Sequence, residues 1–146
     1  MHAAGGSWIC PKADIAAHNF EKITRLCLES RQALLGFELA HVGINCADET
    51  ESGDTVDFLA KAFGFARRDG NSSNFAGNAV EAMKAPYLGP NGHMAIRTNK
   101  IEAAVDELGR RGFALKAGTA RFKDGRMTAI YLEDEVGGFA LHLLQK

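Results

Sequence analysis

His41, Glu81, His93 and His142 are the side chains of this sequence best suited to act together. Imidazole nitrogen and carboxylate oxygen are the donors that divalent transition metals prefer. A lone histidine or glutamate in an apolar stretch is usually a satisfied core or surface group. Here four separate stretches, 39–46, 78–84, 93–98 and 139–144, each set one such residue among apolar ones. Four matching positions point to one shared metal ion rather than to four unrelated polar residues.

Positioning them requires a repeated unit. Residues 39–46 read as a strand, and Asp54 to Phe63 as an amphipathic helix stopped by Gly64. Short strands follow at 65–68, 73–76 and 78–84, with a turn at Asp69-Gly70-Asn71 and Pro86 ending the unit. The order then begins again. His93 to Thr98 is a strand, and Asn99 caps a helix over Ile101, Ala104, Val105 and Leu108 that ends at Gly112. Strands at 113–116 and 127–132 are joined through a hairpin turn at Lys123-Asp124-Gly125-Arg126, and Gly137-Gly138 leads into the last strand at 139–144. The expected fold is α+β: two paired βαβββ modules, 39–85 and 92–146, forming a curved eight-stranded mixed-sheet cup after an N-terminal helical segment.

Strand alternation then assigns faces. His41, Gly43 and Asn45 share one face of the first strand, and Val42 and Ile44 share the other, beneath the helix. The same parity turns His93, Ala95 and Arg97 into the cup. Glu81 and His142 correspond when 77–83 is aligned with 138–144, allowing a one-residue adjustment.

This arrangement resembles the vicinal-oxygen-chelate superfamily, which includes glyoxalase I, extradiol dioxygenases and bleomycin-resistance proteins, over residues 38–146. The resemblance implies metal ligation by His41, Glu81, His93 and His142. His142 departs from it, since a glutamate is usual there. An imidazole in its place makes the site one unit less negative and favours iron, zinc, nickel or manganese over a hard all-oxygen ion. Four protein ligands on a six-coordinate ion leave two adjacent positions, which the neighbouring oxygens of a small 2-oxo or 2-hydroxy acid can fill. Glu81 is then the expected proton-transfer base. Arg97 or Lys84 is expected to bind a distal carboxylate or phosphate, Arg97 being favoured by strand parity, and Asn45 either positions substrate or caps a turn.

The start of the chain carries a second resemblance. Gly5-Gly6-Ser7-Trp8, Pro11, Ile15-Ala16-Ala17 and Phe20-Glu21-Lys22-Ile23-Thr24 look like the end of a 2-keto-3-deoxy-6-phosphogluconate or 4-hydroxy-2-oxoglutarate aldolase barrel. The glycine turn can serve as a phosphate site in such barrels or as a plain turn before a helix. Asn19 is expected to cap a helix with apolar positions Phe20, Ile23, Leu26, Cys27, Ala33 and Leu34, stopped by Gly36. One strand cannot close a barrel of eight, and the Schiff-base lysine of that family lies on an earlier strand. Residues 1–36 are therefore expected to be a barrel fragment attached to a glyoxalase-like domain at 37–146, without aldolase chemistry.

Composition narrows the partners. A 46 % apolar fraction, 24 % charge and a formal net charge of −1 describe an ordinary globular chain. Basic residues are scattered, so a nucleic-acid footprint is not expected. No apolar run approaches the roughly 20 residues that span a bilayer. Three cysteines without a Cys-x-x-Cys pair argue against a disulfide framework or thiolate zinc site and fit a reducing cytoplasm. A homodimer is expected, because modules of this kind pair within or between chains and the orphaned barrel helix needs covering.

Three functions fit these features. The first is a metal-dependent lyase, isomerase or epimerase acting on a small oxo or hydroxy acid. The second is a non-catalytic module that binds a ligand, regulates or oligomerises an attached aldolase. The third is an extradiol dioxygenase using Fe(II) with two histidines and a carboxylate, against which the fourth ligand stands, since it takes a position needed for dioxygen or catechol.

Overall fold

The computed structural model describes residues 5–146. Its elements are α1 (Lys12–Ala16), α2 (Phe20–Leu35), β1 (Glu38–Asn45), α3 (Glu49–Phe63), β2 (Arg67–Asp69), β3 (Ser73–Ala76), β4 (Val80–Met83), β5 (Gly92–Thr98), α4 (Ile101–Arg110), β6 (Leu115–Lys123), β7 (Arg126–Val136) and β8 (Phe139–Gln145). The eight strands form one open mixed sheet in the order β2-β3-β4-β1-β5-β8-β7-β6. Each half repeats the expected unit. In both, the first strand lies parallel to the last, β1 beside β4 and β5 beside β8, while the remaining neighbours are antiparallel. The halves join where β1 pairs antiparallel with β5. This is the expected α+β cup, with both modules contributed by the same chain.

Local chemistry accounts for most of the boundaries. Asp48 accepts a hydrogen bond from the Glu51 N–H and caps α3, while the Glu51 carboxylate accepts one from the Ala47 N–H at 2.6 Å. This start lies five residues before Asp54, because the apolar periodicity alone does not register a capped polar first turn. Gly64 ends α3 in the left-handed region. Asp124 and Gly125, with φ of 51° and 73°, form the tight turn between β6 and β7. Those two strands are longer than expected. Register breaks between Lys116 and Arg121 and again at Phe122 interrupt the alternation from which a strand is recognised.

The core is split between the helices. α4 covers the second half, where Ile101 and Ala104 pack with Ile130, Leu132 and Leu143. α3 covers the first half, where Val56 packs with Cys46, Ala76 and Ala82. Val42 and Ile44 alternate with the cup-facing His41 and Gly43 as expected, but neither belongs to the cluster under α3 or α4, and Ile44 is 37 % exposed.

The segment before β1 is fastened to the second half. Leu35 is buried in the α4 cluster, and its carbonyl accepts from Thr98 Oγ1 at 2.6 Å. Asn99 does not cap α4, whose N-cap is Lys100; its amide instead donates to the Ala33 and Leu34 carbonyls at the end of α2. Asn19 occupies the N-cap position of α2 but sends its side chain to Asp14. Arg31 of α2 ion-pairs with the buried Glu107 of α4, which also takes Arg110 and Arg111. Among the described residues, no helix is long and apolar enough to cross a membrane.

Burial on α2 is concentrated at its last residue, whereas Phe20 is exposed. Leu35→Ala is therefore expected to cost about 2–5 kcal/mol of stability, and Phe20→Ala less than about 1 kcal/mol. Urea unfolding of both variants measures the difference, and equal losses would contradict this account of how α2 is held.

Candidate metal centre

Register across the sheet places the four expected ligands in two adjacent rows on one face. In the first row, Phe75 is opposite Glu81, Glu81 beside Gly43, Gly43 opposite His93, and His93 beside Ala140. In the second row, His41 is opposite Ala95, Ala95 beside His142, and His142 opposite Tyr131. Donors therefore alternate with Gly43, Ala95 and Ala140. These small residues leave volume above the sheet into which imidazoles from neighbouring strands lean. A Cβ on Gly43 would meet Cε1 and Nε2 of His93 at 2.1 and 2.4 Å, so glycine there is a condition of the ring's position.

The donor atoms converge. Glu81 Oε2 lies 2.9 Å from His41 Nε2 and 3.1 Å from His93 Nε2, and the two nitrogens are 3.2 Å apart. The ligand atoms of His41, His93 and His142 all fall within 4.8 Å of one another. Adjacent donors on an octahedral ion with bonds of about 2.1 Å stand about 3.0 Å apart, so the Glu81, His41 and His93 triangle has the dimensions of one octahedral face. Those separations are also ordinary hydrogen-bond lengths, and the more telling observation is His142. It is buried, and its Nε2 has no hydrogen-bond partner among the described residues. A buried imidazole nitrogen left in this way carries a desolvation cost that a metal ion would remove. The donor set therefore fits a divalent ion.

Electrostatics agree with that fit. Burial opposes the charge on Glu81, but contacts from His41, His93 and Ser73 outweigh it and hold the carboxyl well below the usual range. Ser73 Oγ donates to Oε1 at 2.5 Å. His142 is pulled down to about 3 by burial and by the neighbouring His93 and His41. Its imidazole is thus neutral near neutral pH, as ligation requires.

Aromatic rings fix the ligands in a second repeat of the two halves. Phe75 on β3 stands edge-on to His41 at 5.9 Å. Tyr131, the matching residue on β7, stacks on His142 at 4.6 Å with the planes 16° apart. Both rings line a cavity of about 340 Å³ above the donors, whose wall also includes Met83, Tyr87, Thr119 and Arg121. Burial pushes the Tyr131 phenol up to about 12, with Tyr87 and Glu81 adding to the effect.

The remaining expected site residues lie outside that cavity wall. Asn45 donates to the Tyr87 and Gly89 carbonyls and accepts from the Tyr87 N–H, clamping the linker between the modules. Lys84 is paired with Glu49 at 2.6 Å. Arg97 is on the cup face but reaches Glu38 and the Ala40 carbonyl. Tyr131, Thr119 and Arg121 did not emerge from the sequence. The repeat carried a signal for Tyr131, which stands opposite His142 as Phe75 stands opposite Glu81. No such signal marks Thr119 or Arg121, because the irregular register of β6 hides their face.

The chain matches no protein-family model and no curated protein. Its fold is similar to several solved structures. A methylmalonyl-CoA epimerase from Mycobacterium tuberculosis has a TM-score of 0.55 at 19 % identity, covering 77 % of this chain and 89 % of that one. A hypothetical protein from Bacillus halodurans C-125 gives 0.54 at 16 %, covering 75 % and 94 %. Methylmalonyl-CoA epimerase from Streptomyces coelicolor, in complex with 2-nitronate-propionyl-CoA, gives 0.52 at 16 %, also covering 75 % and 94 %. At such identities the likeness establishes the fold alone.

Gly43→Ala tests the packing of the rows. The added methyl displaces His93 and is expected to weaken divalent metal binding about 10–100-fold, as disturbed ligand positioning does elsewhere. Gly109→Ala, where a Cβ has nothing within 4 Å, should bind metal like the unaltered protein. Titration calorimetry of both with Zn²⁺ or Ni²⁺ gives the comparison.

Proposed function

We propose that the protein is a metal-dependent epimerase- or isomerase-type enzyme that moves a proton on the carbon beside a carbonyl of a small 2-oxo or 2-hydroxy acid. The observation that carries this reading is the convergence of His41, His93 and His142 in a cavity wall, with Glu81 beside the first two and a His142 nitrogen that has no hydrogen-bond partner among the described residues. Two of the three structural neighbours are methylmalonyl-CoA epimerases, which supports it at the level of reaction type.

His41, Glu81, His93 and His142 would hold the ion. What a divalent ion supplies in such a site is Lewis acidity toward two neighbouring substrate oxygens, which acidifies the adjacent C–H. The chain's own residues do the rest. Tyr131 and Phe75 hold the planes of His142 and His41, so little reorientation is needed when substrate arrives. Glu81 is the proton carrier on this reading. A histidine nitrogen that ligates a metal could not also donate to Glu81, so two of the three contacts that lower its pKa would be released, and Glu81 would take up and return a proton on leaving the ion, where burial opposes its charge. Ser73 remains hydrogen-bonded to the other oxygen and keeps the carboxyl oriented.

Elemental analysis of protein purified without chelator, followed by proton NMR of candidate 2-oxo and 2-hydroxy acids in D₂O, tests this function. Stoichiometric divalent metal and enzyme-dependent exchange of the C–H beside the carbonyl or hydroxyl are expected. Glu81→Gln should slow exchange about 10²–10⁴-fold, and His93→Ala should abolish metal binding. Failure to bind added metal, or exchange undiminished in Glu81→Gln, would overturn the assignment. Bound metal with no exchange in any acid would favour a ligand-binding module instead.

A further inference from the structure

We propose that Arg121, assisted by the hydroxyls of Tyr87 and Tyr131, binds a second carboxylate, so that the substrate is a 2-oxo or 2-hydroxy diacid whose far end docks on β6 and β7. The inference rests on the proposed function for the near end of the substrate and extends it to the far end. Arg121 is the one lysine or arginine in the cavity wall among the described residues. Most other arginines are occupied: Arg25, Arg31, Arg67, Arg97, Arg110 and Arg111 are ion-paired, and Arg68 lies over the Phe75 ring. Arg121 makes no side-chain ion pair or hydrogen bond among the described residues, and neither phenol hydroxyl is hydrogen-bonded there.

Placement supports a shared role. Arg121 is opposite Ala129 on β7, Ala129 is opposite Leu144 on β8, and Ala129 and Leu144 both line the cavity. Arg121 thus belongs to the row next to that of His142 and Tyr131, two strands across from His142. One same-face step along a strand and two across the sheet separate their Cα atoms by at most about 12 Å. A curved sheet shortens that distance, and the long side chain spans part of it. A four- to six-carbon diacid can therefore reach from the metal-binding donors to the guanidinium. The Tyr87 and Tyr131 rings meet edge to face at 5.9 Å, and Arg121 shares the cavity wall with both.

A carboxylate suits this end better than a phosphate dianion. One guanidinium offers a planar fork that matches two carboxylate oxygens, and no second lysine or arginine lines the wall. Arg97 and Lys84 are less suited, because Glu38 and Glu49 already neutralise them.

The test uses metal-loaded full-length protein and calorimetric binding of four-, five- and six-carbon 2-oxo diacids, each against the 2-oxo monoacid of equal length. At least one diacid is expected to bind roughly 10–100-fold more tightly than its monoacid. Arg121→Gln should remove that preference while leaving monoacid affinity and metal content unchanged, and Arg121→Lys should restore part of it. Tyr87→Phe should reduce it by a smaller factor. No preference at any length, or a preference retained in Arg121→Gln but lost in Arg97→Gln, would overturn the proposal. Should the protein bind no metal, which defeats the proposed function separately, the saturated diacids and monoacids decide the role of Arg121 by the same comparison.

Discussion

The antiparallel pairing of β1 with β5 is the constraint from which the site follows. It brings the first strands of two similar modules to the middle of one sheet, and their parallel partners β4 and β8 flank them. Only in that register do Gly43 and His93 stand opposite each other, with Glu81 and Ala140 on either side. Because side chains alternate strictly along a strand, a slip of one residue at this seam would move one module's donors to the far face. The seam therefore sets which module faces which and where the donors meet.

The centre is built for charge as much as for shape. Ligation takes imidazoles in their neutral form and the carboxylate ionised, so a divalent ion held by this donor set would carry a net +1. That residual charge suits an anionic chelating substrate. An isolated carboxylate taken from water would resist ionisation, and the contacts to Glu81 from His41, His93 and Ser73 compensate for its burial. Elsewhere in the cavity wall, Arg121 is the one lysine or arginine among the described residues. The wall also has apolar and aromatic surfaces, Leu144, Ala129, Met83 and Phe75 among them, which exclude water without competing for polar groups.

The helices keep this face clear by packing on the other side. α3 and α4 cover the outer strands of each half, and α2 is fixed to α4 through Leu35, Asn99 and the Arg31 to Glu107 ion pair. Glu107 is buried among three arginines, an arrangement in which removing the carboxylate would leave several cations close together. α2 belongs mechanically to the second half even though it precedes the first in the chain.

The repeat of strand, helix and three strands, and the identity of the four converging donors, were legible in the sequence because both rest on local regularities. Apolar residues recur with the period of a helix or strand, glycine stops a helix at Gly64, and one polar residue stands in each of four apolar strands. Arg97 shows where that reasoning ends. Its parity was right, yet the nearby Glu38 takes its charge, and no strand pattern records which partner wins. Asn45 and Lys84 were claimed in the same way by the linker and by the start of α3. Arg121 was hidden because register breaks in β6 uncouple position from face. Sequence alone therefore marked which strands carry metal-type donor side chains, since that follows from residue type and alternation. Tertiary structure decided which charges remain free to meet a substrate, because neutralisation by a neighbour depends on contacts between segments far apart in the chain.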